Sequence, residues 1–225
     1  MDFQISHPMK KIDWTHHFIE LFVVFIGITA AFLLNSWRER MNEKQLALKY
    51  YGSLMKDLTV DADDFEELLP FVEHQDSILL NFLSNANAEN PDDAAITDLL
   101  QVLVSFTQFT AETATFETIK FSGNLDVFSD YELREEINSY YNKVDEVMLK
   151  QSLHYDYMNN YCIPFIYNNV DILSGKLLPE AELGTKFTNV AVGFQTLLRQ
   201  NIGAYRELMD ENMSLKLRLA KKFTN

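Results

Sequence analysis

FIELFVVFIGITAAFLL, Phe18 to Leu34, is seventeen residues long and carries one charge, Glu20. Trp14 and Trp37 flank it, 23 residues apart. At about 1.5 Å per helical residue that separation is roughly 34 Å, a slightly tilted bilayer crossing with one Trp at each interface. The run exceeds a usual signal-peptide core, no A-x-A site follows it, and Arg38-Glu39-Arg40 continue it. The sequence therefore predicts an uncleaved single-span anchor over 14–37, behind a tail over 1–13.

The anchor has a patterned face. At about 100° per residue, Glu20, Gly27, Ala31 and Arg38 fall along one line, with His16 close to it. Gly27 and Ala31 form a small-xxx-small pair, which lets membrane helices approach closely. A carboxyl about 9 Å inside Trp14 is expected to face protein or water. Two readings stay open for Glu20: an intramembrane titrating site, or a group that snorkels or pairs with His16, His17 or a partner helix. Orientation is open as well. Lys10 and Lys11 precede the span, while Arg38, Arg40, Lys44 and Lys49 follow it beside Glu39 and Glu43. That local count keeps the C-terminal side in the cytoplasm.

Beyond Trp37 the apolar residues recur every seven. Met41, Leu48, Met55, Ala62 and Leu69 form one row; Tyr51, Leu58, Phe65 and Val72 form the other. This spacing predicts a stalk helix over 38–69, kinked or ended by Pro70 and continued by 71–84. Asp57, Asp61, Asp63, Asp64, Glu66 and Glu67 are assigned to its outer, solvated face. The three aspartates lack the glycine turn and distal Glu of a calcium loop. Residues 85–93 read as a polar linker ending in a helix start at Asn90-Pro91-Asp92-Asp93. Helices are expected over about 94–104, 112–121, 130–163 and 187–223, with 171–186 as connector. Ser122-Gly123-Asn124 is a C-cap signature, and Ser129-Asp-Tyr-Glu132 a capping box. The long fourth helix is expected to bury Leu133, Ile137, Tyr140, Val144, Met148, Tyr155, Met158 and Cys162, and to kink or end at Pro164. The last repeats at three and four through Phe187, Val190, Ala191, Phe194, Leu198, Tyr205, Leu208, Leu215 and Leu219. No stretch alternates with period two, so the fold class is all-α: a membrane helix continuing into a stalk packed in a bundle outside the membrane.

Composition agrees. The 225 residues are 47% apolar, too rich for a disordered chain, and seven Gly with five Pro suit long helices. The net charge is −14 and the pI about 4.7, which argues against nucleic-acid binding because phosphate contacts need clustered Lys and Arg. Outside the tail and anchor, over 38–225, 17 Lys and Arg face 30 Asp and Glu once Lys10, Lys11, Asp2, Asp13 and Glu20 are set aside. The single Cys162 excludes an internal disulfide and any multi-cysteine zinc site.

Two blocks carry a resemblance. Glu20-Leu-Phe-Val-Val-Phe-Ile-Gly27 through Asn35-Ser-Trp37-Arg-Glu-Arg40 resembles the EIxLVVIGIxxALxxxNWxE anchor of an uncharacterised bacterial family of single-span membrane proteins. Thr115 to Leu125 (TFETIKFSGNL), with Glu132-Leu-Arg134 and Tyr140-Tyr141-Asn142, is similar to that family's LKxSGxL…LRxxIxxYY segment. The resemblance spans nearly the whole chain. It implies one N-terminal span in a bacterial inner membrane, a helical domain outside it, an acidic residue at the Glu20 position and no assigned activity. Members usually carry a more basic tail, which implies a periplasmic main domain; this chain has only Lys10 and Lys11 there. Within the second block Gly123 suits a left-handed helix end packed by Phe116, Ile119 and Leu125, with Arg134 pairing Glu117 or open carbonyls. Lys120, Gly123, Asn124 and Arg134 thus form a structural corner or a pocket.

Catalytic signatures are missing: no GxSxG, GxxxxGK[ST], GxGxxG, HExxH or paired Glu-x-x-His occurs. His16 and His17 point about 100° apart on a helix, and His74 reads as a surface residue. His154 and Cys162 read as core. Tyr140, Tyr141, Tyr155, Tyr157, Tyr161, Tyr167, Asn159 and Asn160 crowd 138–169, as a recognition surface or as packing helices with wet phenols. The expectation is a protein without catalytic site, metal or cofactor. It would act through assembly, as a scaffold or accessory subunit bound to the lipid bilayer and to itself or other membrane subunits. The alternatives are a subunit of an ion-driven or transport complex using Glu20, and an extracytoplasmic ligand-binding sensor.

Overall fold

A computed structural model of the chain describes residues 14–85, 93–174, 176–179, 181 and 184–223. The chain divides into two units, Met1–Ala47 and Leu48–Asn225, and helix α1, Trp14–Asn85, runs through both. Its apolar window near the N-terminus has a mean hydropathy of 2.2 and no buried residue. The chain thus has a helix long and apolar enough to cross a membrane. Trp14 and Trp37 are 78% and 65% exposed.

Among the described residues the second unit is built of helices, joined by connectors and one small hairpin. After α1 come α2 (Asp93–Val104), α3 (Ala114–Phe121), a 3₁₀ turn (Asn124–Val127), α4 (Tyr131–Tyr157), a π-turn (Met158–Cys162) and α5 (Ile163–Asn169). A two-residue hairpin follows, β1 (Val170–Asp171) and β2 (Lys176–Leu177), paired Val170 to Leu177 and Asp171 to Lys176. It lies in the expected connector. Helix α6, Thr185–Phe223, closes the bundle. The helix start expected at Asn90 to Asp92 lies outside the described residues.

Helices α4 and α6 pack closely and antiparallel. As α4 advances through Glu136, Tyr140, Gln151 and His154, its side-chain partners on α6 retreat through Arg218, Asn212, Tyr205 and Asn201. Larger side chains bring α1 in: Phe65 lies 6.3 Å from the Tyr205 ring and Phe82 lies 5.2 Å, edge-on, from Phe187. At the opposite end Tyr51 stacks on Phe128 at 5.1 Å. Ion pairs run along the same seams, Arg199 to Asp76 and Arg206 to Glu73 at 2.7 Å each. Being largely exposed, they orient the helices more than they stabilise them.

Several expectations need correction. Tyr51, Leu58, Phe65 and Val72 are buried, and Leu79 extends that row. Of the second expected row only Leu69 is buried. Met41 is exposed, Leu48, Met55 and Ala62 are half-buried, and the row that faces the core is Leu54, Asp61, Leu68, Gln75 and Phe82. Two polar members hid that row from a purely apolar count. Pro70 neither ends α1 nor shifts its phase, since both rows stay seven apart across it. On α4, Met148 and Tyr155 are exposed, and Val147, Gln151 and His154 take their places in the core. Asp130, not Ser129, caps α4, its carboxylate accepting the Leu133 N–H at 3.2 Å. Pro164 has no N–H for the carbonyl of Asn160; the π-turn precedes it and the helix then resumes. From Met158 the buried positions run 158, 162, 166 and 170, a four-residue step that fits the wider turn.

Candidate functional site

Seven-residue spacing puts Asp61 on the inward face of α1, level with Tyr140 of α4 and Asn212 of α6. Asp61 is 0% exposed. Tyr140 Oη donates to its Oδ2 at 2.7 Å, and Asn212 Nδ2 donates to Tyr140 Oη at 3.1 Å. The backbone N–H of Glu112 donates to Asp61 Oδ1 at 2.8 Å. Burial pushes the Asp61 carboxyl up to about 6, the two hydrogen bonds hold it back, and the Glu112 and Asp57 carboxylates push it further. Burial, together with the Asp61 charge, also raises Tyr140. The expected solvated face of α1 therefore loses Asp61 to the core, because two protein donors, the Glu112 N–H and Tyr140 Oη, satisfy its two oxygens.

Two further polar layers follow along the bundle. Gln151 grips the peptide of Phe109 from both sides: Phe109 N–H donates to Oε1 at 2.7 Å, and Nε2 donates to Phe109 O at 3.1 Å. Tyr205 Oη donates to the same Oε1 at 2.7 Å. Above it Asn201 Nδ2 lies 3.1 Å from His154 Nδ1. Phe194 packs edge-on against the imidazole at 4.4 Å and Phe106 at 5.9 Å. Burial drives the His154 imidazole down to about 4, so it is neutral at ordinary pH. His154 Nε2, Asn201 Oδ1 and Asn212 Oδ1 are buried without a partner, each a desolvation penalty of about 1–3 kcal/mol.

These layers hold the Ser105–Thr113 connector between α2 and α3. Phe109 stacks on Phe65 at 4.2 Å and is itself buried. Beside it a groove of about 370 Å³ is lined by Asp64, Glu67, Leu68, Phe71, Thr107, Gln108 and Phe109. A second groove of about 370 Å³, mainly apolar, lies among α2, α5 and the hairpin, lined by residues including Leu100, Val104, Ile163, Ile166 and Tyr167. A carboxyl with no exposed surface reaches no substrate unless the connector moves. As it stands the network fixes register and specifies one packing of α1, α4 and α6. Among the described residues no three His, Cys, Asp or Glu side chains converge as metal ligands do.

The residues singled out from sequence fall as follows. Glu20 is exposed, its Oε2 3.6 Å from His17 Nδ1, and nothing lies within 4 Å of a Cβ built on Gly27. Ala31 and Arg38 are exposed on the same helix. At the second block Gly123 is left-handed, φ 68°, and closes α3. Asn124 Nδ2 donates to Tyr50 Oη at 2.9 Å, and Lys120 lies 5.7 Å over the Phe116 ring. Arg134 pairs with Asp126, not Glu117, and lies 5.5 Å from the Tyr131 ring. Asn124 and Arg134 thus each have a protein partner, while Lys120 and Gly123 are exposed. Cys162 is buried, its thiol pushed up to about 12 by burial. Of the crowded tyrosines, Tyr140 and Tyr141 are core, whereas Tyr155, Tyr161 and Tyr167 are exposed.

Sequence reading placed His154 in the core but missed Asp61, Gln151, Asn201 and Asn212 as buried polar residues. A signal was present: Asp61 and Gln75 stand seven apart from Leu54, Leu68 and Phe82 in an otherwise apolar row. Comparison with known proteins found no matching family model, curated protein or solved structure.

Proposed function

We propose that the chain is a membrane-anchored helical scaffold or accessory subunit that works by assembly, without a reaction of its own. What carries the reading is an asymmetry of burial. The bundle over 48–225 buries its own apolar rows, whereas the apolar window of α1 is entirely uncovered. Lipid accounts for most of that surface; the line of Glu20, Gly27 and Ala31 suits a second helix, since small residues permit close approach and a carboxyl avoids lipid. The polar layers of the bundle support the same reading, because they spend core positions on specifying one arrangement of helices and leave no open reactive group. We place the anchor in a bacterial inner membrane with the bundle on the periplasmic side, the arrangement that the anchor resemblance implies.

Cross-linking tests the face. In a Cys162→Ser background, single cysteines at Gly27 or Ala31 are expected to form disulfide-linked pairs in native membranes, and one at Leu33, about 160° from Ala31 around the helix, is not. Equal cross-linking at all three positions, or none at any, overturns the assignment of this face.

A further inference from the structure

The end of the bundle at which α1 enters carries rings that its core does not use. Contacts converge there around Tyr50 to Gly52. Asn124 Nδ2 donates to Tyr50 Oη at 2.9 Å, Tyr51 stacks on Phe128, and a Cβ on Gly52 would meet the Phe223 ring at 3.8 Å. Lys222 Nζ lies 3.0 Å from the carboxylate of Asp130, the cap of α4. The end of α3, the 3₁₀ turn, the start of α4 and the end of α6 therefore share this end. Phe121, Tyr131 and Phe223 belong to it and are 85%, 64% and 57% exposed. No described aromatic ring of 48–225 is more exposed than Phe121. We propose that this end is a second membrane contact, which docks the bundle on a lipid headgroup surface containing anionic lipid. The proposal rests on the reading that α1 crosses the membrane.

Charge and chain length select that occupant. Along 48–52, 120–134 and 218–223, which build this end, six Lys and Arg face three Asp and Glu, whereas the rest of 48–225 holds eight against 25. Arg134, Arg218 and Lys222 pair with Asp126, Glu132 and Asp130, while Lys49 and Lys120 are exposed. An acidic body is repelled by anionic headgroups, and a locally cationic end is the part of it that such a surface attracts. Rings beside lysines suit the interface, where the ring meets the acyl boundary and the ammonium reaches phosphate. Eleven residues join Trp37 to Leu48, and no course of eleven residues exceeds about 40 Å, so the tether keeps this end near the surface. A second exposed apolar group, Tyr167, Ile172 and Leu173, belongs to the far end. There Phe165 of α5 stacks on Phe187, which meets Phe82, thirty residues or about 45 Å along α1 from Gly52.

Lipid quenching of the full chain tests this, in phosphatidylcholine vesicles with or without phosphatidylglycerol, a nitroxide being carried at the lipid headgroup. In a Cys162→Ser background, Phe121→Cys, Tyr131→Cys and Phe223→Cys each carry a fluorophore, and Leu173→Cys is the exposed control. Trp14 and Trp37 report the anchor in the unlabelled protein. All three positions are expected to lose fluorescence when phosphatidylglycerol is present, and Leu173→Cys to keep its own. The loss shrinks without phosphatidylglycerol, and shrinks again when Lys49→Glu and Lys120→Glu are introduced together. Quenched tryptophans with the three labels no more quenched than Leu173→Cys overturn this inference and leave the anchor standing. Unquenched tryptophans remove both. Losses at the three positions that ignore either phosphatidylglycerol or the paired lysine changes also overturn it.

Discussion

Burial holds the Asp61 carboxyl near 6, against an ordinary 3.8, and the His154 imidazole near 4, against an ordinary 6.5. For Asp61 the folded state keeps a proton that the unfolded state has lost. Its contribution is complete below about pH 3.8 and disappears as pH rises through 6, about 3 kcal/mol in all. For His154 the folded state has shed a proton that the unfolded state keeps, so stability rises with pH from about 4 to 6.5, by a similar amount. In the wild type the two slopes oppose each other. Relative to it, Asp61→Asn is expected to gain stability as pH rises through this window, and His154→Gln to lose it. Denaturant midpoints at half-unit steps from pH 4 to 7 show which holds; two variants that both track the wild-type profile contradict this account of burial. His154 was legible as core from the sequence, and it is buried; Asp61 was not legible as such. Apolar spacing assigns polar residues to water by default, and Asp61 looks like its neighbours Asp63 and Asp64, which are exposed. What distinguishes it is a set of donors from distant segments, Glu112 and Tyr140, which no local pattern contains.

At the scale of elements, helix existence and order were legible because seven-residue and three-to-four spacing survive even where single positions are misassigned. Phase was less so: on α1 the row through Tyr51, Leu58, Phe65 and Val72 was read correctly, but the second was read one position off, since Met55 and Ala62 are the apolar neighbours of the true core residues Leu54 and Asp61. The wide turn at Met158–Cys162 was readable only as trouble at Pro164. It sets Tyr157 against α6, where Tyr157 Oη lies 3.3 Å from the carbonyls of Asn189 and Val190. A Cβ on Gly193 would meet that hydroxyl at 2.0 Å and the ring at 2.4 Å. Gly193 is needed for close approach, and its φ is not in the left-handed region. In the wild-type background Gly193→Ala is expected to destabilise by about 1–2 kcal/mol, since the ring is displaced and its hydrogen bonds are lost. With Tyr157→Ala in place the same change is expected to stabilise by about 0.5–1 kcal/mol, the ordinary helical preference for alanine. A double-mutant cycle measures this reversal; the same sign in both backgrounds removes Tyr157 as the reason for the glycine.

For the whole molecule, the seventeen-residue run of the anchor and the absence of period-two alternation made the architecture legible: an exposed apolar helix segment near the N-terminus and an all-α unit following it. The acidic balance explains how the cations are used. Arg199, Arg206, Arg218, Lys143 and Lys222 are all paired to carboxylates along the seams of α6, leaving few to offer an acidic ligand. Among the described residues the apolar window of α1 has no cover from its own chain, and what covers it is the central claim. The most direct measurement is the mass of the native full-length protein, released from its membrane in mild detergent and weighed with everything that stays bound. The account predicts a defined particle, either an integral multiple of the 26.1 kDa chain or a fixed ratio with other membrane subunits. A particle containing one chain and nothing else but lipid and detergent contradicts it.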